Sequence, residues 1–177
     1  MDNAPKQLSE QGKQAYQNGN FIAAASFFLE AELLYKNNAD PLLAAEMANN
    51  RSVVLLQSGN AAAALEACKD THQIFADAGD ALREGFALGN QAAALRELGQ
   101  KKESLNLYRL SAGKLAKTND RENLIIVQKH IAALEMESGN KINAMSAMLD
   151  ALKSKDKLSL REKIIRKLFS IVSRLMP

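Results

Sequence analysis

Tryptophan is absent from this chain, cysteine occurs once, histidine twice and proline three times in 177 residues. Each shortage excludes something. A lone Cys68 forms no internal disulfide, which fits a reducing compartment and a cytosolic protein. Met1-Asp2-Asn3 lacks the basic-then-apolar pattern of a signal peptide. No apolar run approaches the roughly 20 residues that cross a bilayer. Phosphate-binding glycine loops, dinucleotide fingerprints, paired cysteines and the H-E-x-x-H zinc motif are all missing. His72, His130 and Cys68 are too few and too scattered for nucleophilic or metal chemistry; a Cys68–His130 pair would have to bridge separate parts of the chain. No cofactor, no metal and no enzymatic activity are expected.

What is present is apolar residues, 47% of the chain, with abundant alanine and only 5% aromatics. That composition suits closely packed helices. Gly19, Gly59, Gly99 and Gly139 stand 40 positions apart, each followed by an amide residue: Asn20, Asn60, Gln100, Asn140. Asp40, Asp80 and Asp120 recur at the same step where helices begin, and Pro41 suits a first helical position. Three columns hold small residues: Gly12, Ser52, Ala92, Ala132; Ala24, Ala64, Ser104, Ala144; Ala31, Thr71, Ser111, Ala151. A bulky column lies between the last two: Phe28, Cys68, Tyr108, Met148. Small residues let helix axes approach, and the bulky ones fill the space between units. A fixed long period marks stacked copies of one supersecondary unit. The pattern predicts helices over 5–18, 21–36, 41–58, 61–78, 81–98, 101–117, 121–138 and 141–153. The run Leu124-Ile125-Ile126-Val127 passes locally for a strand, but its register with Ala44-Ala45-Glu46-Met47 makes it helix.

A small residue in the first helix, glycine before the turn, then alanine, an aromatic and alanine at set spacing resembles the tetratricopeptide repeat (TPR). The matching residues in the first unit are Gly12, Gly19, Ala24, Phe28 and Ala31. The period is longer than the usual 34 residues, and Cys68, Leu55, Leu95 and Met148 replace aromatics. HEAT-type pairs are the rival of similar period, disfavoured by the glycine turn and the alanine/aromatic spacing. The resemblance implies an all-α, right-handed α-solenoid of four repeats (5–36, 41–78, 81–117, 121–153) within residues 1–153, followed by a C-terminal capping helix in 154–177. It also implies a non-enzymatic scaffold or adaptor that holds a peptide segment or partner surface in a concave groove lined by the first helix of each repeat.

By alignment to that geometry the groove set is Lys13, Asn49, Asn50, Val53, Asn90, Arg96, Lys129 and His130. Asn50 and Asn90 share a column. Their amides either meet an extended peptide backbone or bond between neighbouring helices. Lys13, Arg96 and Lys129 would favour an acidic segment. The carboxylate clamp of chaperone-binding TPRs needs matches at Ser9, Lys13, Asn50, Gly85 and Asn90, and only Lys13 and Asn50 fit. Gly85 and Gly89, four apart on one helix face, signal either close helix contact or a widened groove floor.

Charge is uneven. Residues 153–177 carry eight basic and two acidic side chains, whereas residues 1–152 carry 15 and 18. The acidic body lacks repeating basic and stacking residues, so no nucleic acid is expected as partner. Residues 159–176 form an amphipathic helix with Ile164, Ile165, Leu168, Phe169, Ile171, Val172, Leu175 and Met176 on one side and Lys163, Arg166, Lys167 and Arg174 on the other. Three readings stand: a lid for the last repeat, a cationic helix lying on a membrane surface, and a homodimer contact through Phe169, Val172 and Met176.

Overall fold

The structure is a computed structural model that describes residues 3–155 and 157–175, without the side chains of 172–175. Ten helices are described: α1 (Ala4–Gln17), α2 (Phe21–Asn37), α3 (Pro41–Gln57), α4 (Ala61–Cys68), α5 (Thr71–Asp77), α6 (Ala81–Glu97), α7 (Lys101–Leu115), α8 (Arg121–Glu137), α9 (Lys141–Lys153) and α10 (Leu160–Leu175). No strand occurs among the described residues, and Leu124–Val127 lies inside α8.

Local chemistry sets the ends of these helices. Asn20, Asp40, Asn60, Asp80 and Asp120 each accept, through the side chain, the amide of the third residue on. This satisfies one of the first-turn N–H groups that the helix itself leaves unpaired. Six of these helices close on a left-handed residue. At the end of α1, Gly19 N donates to Tyr16 O at 2.9 Å and Asn20 N to Ala15 O at 2.9 Å, the paired bonds of a Schellman turn. The same two bonds recur after α2, α3, α5, α6 and α8. The left-handed positions are Gly19, Ala39, Gly59, Gly79, Gly99 and Gly139. The turn therefore repeats at about half the interval that the glycine columns suggest, with Ala39 standing where glycine would be.

One predicted helix is wrong. Residues 61–78 form two helices, because Asp70 adopts φ 61° after an extended Lys69. The carbonyl of Cys68, released from the helical ladder, receives two other donors: Thr71 Oγ1 at 2.8 Å and Gln91 Nε2, from α6, at 2.7 Å. A buried carbonyl without a partner would be costly, and Gln91 removes that cost. Beyond the break, Phe75 is fully buried with Ala45 and Ala87.

Packing runs between successive helices. Ala24, Phe28, Ala31, Met47 and Val54 join α2 to α3; Ala92, Tyr108, Leu115, Val127, Ile131 and Leu134 join α6, α7 and α8. All twelve residues of the three small columns are buried, and so are Phe28, Cys68 and Tyr108 of the bulky one; Met148 is half-buried. Ser104 Oγ donates to Ala92 O at 2.7 Å, so two columns meet directly across α6 and α7. Buried carboxylates add polar fastenings: Glu32 to Arg51 between α2 and α3, Glu84 to Lys114 between α6 and α7, and Glu135 to Arg109 between α7 and α8.

α10 packs on α9. Its start is fixed by its own sequence: Ser159 N donates to Glu162 Oε2 at 2.8 Å and Glu162 N to Ser159 Oγ at 3.3 Å, a capping box. Lys155 Nζ binds the same carboxylate, and the donors together lower the Glu162 pKa to about 2. Met176 of the expected dimer contact lies outside the described residues, as does the Val172 side chain.

Candidate functional site

A groove of about 690 Å³ crosses α3, α6 and α8. α3 contributes Glu46, Asn49, Asn50 and Val53, and α8 contributes Asn123, Ile126, Val127 and His130. α6 crosses the middle with Leu82, Arg83, Gly85, Phe86, Gly89, Asn90 and Ala93. Asn50, Asn90 and His130 occupy one repeat column and form a polar row from helix to helix.

The amides of Asn50 and Asn90 make no side-chain hydrogen bond within the described residues, and both are half-buried. The other two asparagines of the lining are engaged: Asn49 accepts from Thr71 and Asn123 donates to Asp120. His130 stacks on Tyr108, with ring centroids 5.0 Å apart and planes inclined by 13°. Its Nδ1 lies 3.3 Å from Arg96 Nη1. A guanidinium only donates, so Nδ1 accepts and the ring proton belongs on Nε2. Burial, and then the Arg96 charge, push the His130 pKa below its ordinary value, so the ring is neutral at pH 7.

Gly85 and Gly89 resolve into both alternatives at once. A Cβ on Gly85 would stand 2.9 Å from Leu115 Cγ and Cδ2, and one on Gly89 would stand 3.3 Å from Ser111 Oγ. Ser111 Oγ donates to Gly85 O at 2.7 Å. α6 and α7 are therefore in close contact, and the missing side chains open the floor so that Tyr108, Ser111 and Leu115 of α7 also line the groove.

One wall is charged. Arg83 Nε donates to Asp80 Oδ2 at 2.6 Å, its Nη1 donates to Glu46 Oε2 at 3.2 Å, and the guanidinium lies 5.3 Å from the centre of the Phe75 ring. The Arg83 amide and then its guanidinium hold the Asp80 carboxyl below the usual range. With His130 neutral, the lining carries two carboxylates and one guanidinium.

Of the eight residues expected in the groove, Asn49, Asn50, Val53, Asn90 and His130 line it. The three cations do not. Lys13 pairs with Glu10 on the exposed side of α1, which contributes no lining residue. Arg96 is turned to Glu137 at 2.7 Å, where Lys101 also binds. Lys129 is exposed outside the lining. Repeat register places a residue along its helix, while ion pairing decides which way a long side chain turns. None of the three therefore adds a cation to the lining of this groove. Sequence reasoning also missed Arg83 and Asn123, one column shared by α6 and α8 and seven residues before Asn90 and His130. That heptad offset was the available signal, because it keeps both positions on the groove face.

Outside the groove, Cys68 is buried, its Sγ lies 3.2 Å from Ala64 O, and burial pushes the thiol up to about 11. It is therefore protonated at neutral pH and poorly nucleophilic. His72 is half-buried, with Nδ1 3.1 Å from Gln91 Nε2.

No protein-family model matches the chain, and no curated protein matches it. Solved structures do. A kinesin light chain-like protein of Podosopora anserina with nearly identical TPR-like repeats superposes with a TM-score of 0.68 at 11% identity, over 99% of this chain and 98% of that one. Its Q17M form gives a TM-score of 0.68 at 12% identity with the same coverage. The fold is thus an all-helical TPR-like repeat solenoid.

Proposed function

We propose that the chain is a non-enzymatic cytoplasmic adaptor that holds an extended segment of a partner protein in the α3/α6/α8 groove. The observation that carries this reading is the row Asn50–Asn90–His130. Two amides face the groove without a side-chain hydrogen bond among the described residues, and a neutral imidazole presents an Nε2 donor in the same line. An amide both donates and accepts, so successive asparagines match the alternating N–H and C=O groups of an extended backbone without selecting its side chains. Apolar residues between them (Val53, Phe86, Ala93, Ile126) take alternate side chains of the segment. The surplus carboxylate in the lining favours a neutral or basic segment.

The test begins with partner capture by cross-linking from a groove position, followed by titration of the captured segment against the purified chain. Replacing Asn50 and Asn90 together by Ala should weaken binding by about tenfold or more, since two to four hydrogen bonds are lost at about 0.5–1.5 kcal/mol each. The melting temperature should stay within about 2 °C, because neither side chain makes a hydrogen bond within the described residues. Unchanged affinity would show that the groove is not the binding site.

A further inference from the structure

Leu160, Ile164, Leu168 and Ile171 are 78%, 54%, 56% and 46% exposed. At 100° per residue they fall within an arc of about 80° along α10. Ile165 and Phe169, both half-buried, lie farther round on the side packed against α9. The apolar side of α10 is thus wider than its contact with α9, which leaves the outer row uncovered. A lid accounts for Ile165 and Phe169; it does not account for the outer row.

The borders of that row are cationic. Arg161 lies beside one edge, and Lys163 and Lys167 beside the other; all three are exposed and make no ion pair within the described residues. In the body Arg51, Arg83, Arg96 and Arg109 each hold a carboxylate. The single acid of α10, Glu162, is already engaged by Ser159 and Lys155. Arg161, Lys163 and Lys167 therefore have no acid of their own among the described residues.

We propose that the outer face of α10 lies on an anionic membrane surface, its apolar row entering the acyl boundary while Arg161, Lys163 and Lys167 meet lipid phosphates. An apolar stripe between cations on a self-capped helix is the geometry of interfacial binding. Charge complementarity selects this occupant over a second copy. Each α10 carries five basic residues and one acidic one, so pairing two of them along the exposed row would set like charges side by side. No helix among the described residues is long and apolar enough to cross a membrane, so the contact is peripheral.

The experiment is vesicle flotation of the full chain, with phosphatidylcholine alone and with about one-third phosphatidylserine. Binding to the anionic vesicles should be at least about tenfold stronger than to the neutral ones, and weaker at about 0.5 M salt. It should be lost in Ile164→Glu/Leu168→Glu and in Lys163→Glu/Lys167→Glu. Both pairs are exposed, so circular dichroism and melting should match the unmodified chain and show that loss is not unfolding. Asn50→Ala/Asn90→Ala should float like the unmodified chain, which keeps this contact distinct from the groove. Absence of flotation with anionic vesicles overturns the proposal, and so does equal flotation on both lipids. A concentration-dependent dimer in light scattering, abolished by Ile164→Glu/Leu168→Glu with no vesicle binding, would assign the row to a second copy instead.

Discussion

Gly85 and Leu115 occupy the same space: a Cβ on the glycine would lie 2.9 Å from the leucine's Cγ and Cδ2. Leu115 is fully buried and belongs to the cluster joining α6, α7 and α8, so it has nowhere to withdraw. Gly85→Ala should gain about 1 kcal/mol in helix propensity and lose about 1–3 kcal/mol to overpacking. The balance is net destabilisation. Gly113, in α7, is the control, because a methyl there would meet nothing within 4 Å. Gly113→Ala should stabilise by about 0.5–1 kcal/mol. Urea unfolding of both variants checks the signs; a stabilised Gly85→Ala would mean that α6 and α7 are not in close contact there.

Ala39 sits at φ 55°, in a turn that five glycines fill elsewhere. A Cβ in the left-handed region costs about 1–2 kcal/mol. Glycine returns about 0.5–1 kcal/mol of that through its freer unfolded chain. Ala39→Gly should therefore stabilise the protein by about 0.5–1 kcal/mol and raise the melting temperature by about 1–4 °C. A lower melting temperature would show that the turn between α2 and α3 does not hold this geometry.

What could be read from the chain follows from what each residue needs. Ala24, Ala64, Ser104 and Ala144 repeat because helices touch there, so a column of small residues is a direct statement of contact. The break at Asp70 was hidden because its support comes from afar: Gln91, 23 positions beyond Cys68, supplies the donor that lets the Cys68 carbonyl leave its helix. Ala39 was hidden for the opposite reason, since a residue that tolerates strain gives no sign of it. Asn50, Asn90 and His130 were legible as groove residues, because short or planar side chains stay where register puts them. Arg96 was not, because its guanidinium is held between His130 and Glu137 of α8 and stays outside the lining.

Glu32 fastens α2 to α3. Its Oε2 accepts from Arg51 Nε at 3.1 Å and Nη2 at 2.9 Å, while Oε1 accepts from Lys36 Nζ at 2.6 Å. The carboxylate is buried, and Arg51 is largely so. Glu32→Ala should cost about 2–3 kcal/mol, most of it from leaving the guanidinium unpaired. Lys36 is exposed, so Lys36→Ala should cost no more than about 0.5 kcal/mol. Adding Arg51→Ala to Glu32→Ala should recover part of the loss, as the stranded charge goes with it. A double variant less stable than Glu32→Ala alone would refute that account.

His130 gives the fold a pH dependence with a definite sign. Its pKa in the folded protein lies below the ordinary 6.5, because burial and then Arg96 disfavour the imidazolium. Above about pH 6.5 the ring is neutral in both folded and unfolded chains and contributes nothing to the slope. As pH falls below that, the unfolded chain takes up the proton first, so stability declines until the folded ring also protonates. His130→Asn removes this titration while continuing the column of Asn50 and Asn90, although it gives up the stack on Tyr108. The variant should therefore be the less stable of the two at pH 8, and the gap should narrow toward pH 5. Chemical unfolding at both pH values measures it. A gap that stays constant would mean that His130 does not titrate differently on folding, and a gap that widens would mean that the imidazolium is favoured in the groove.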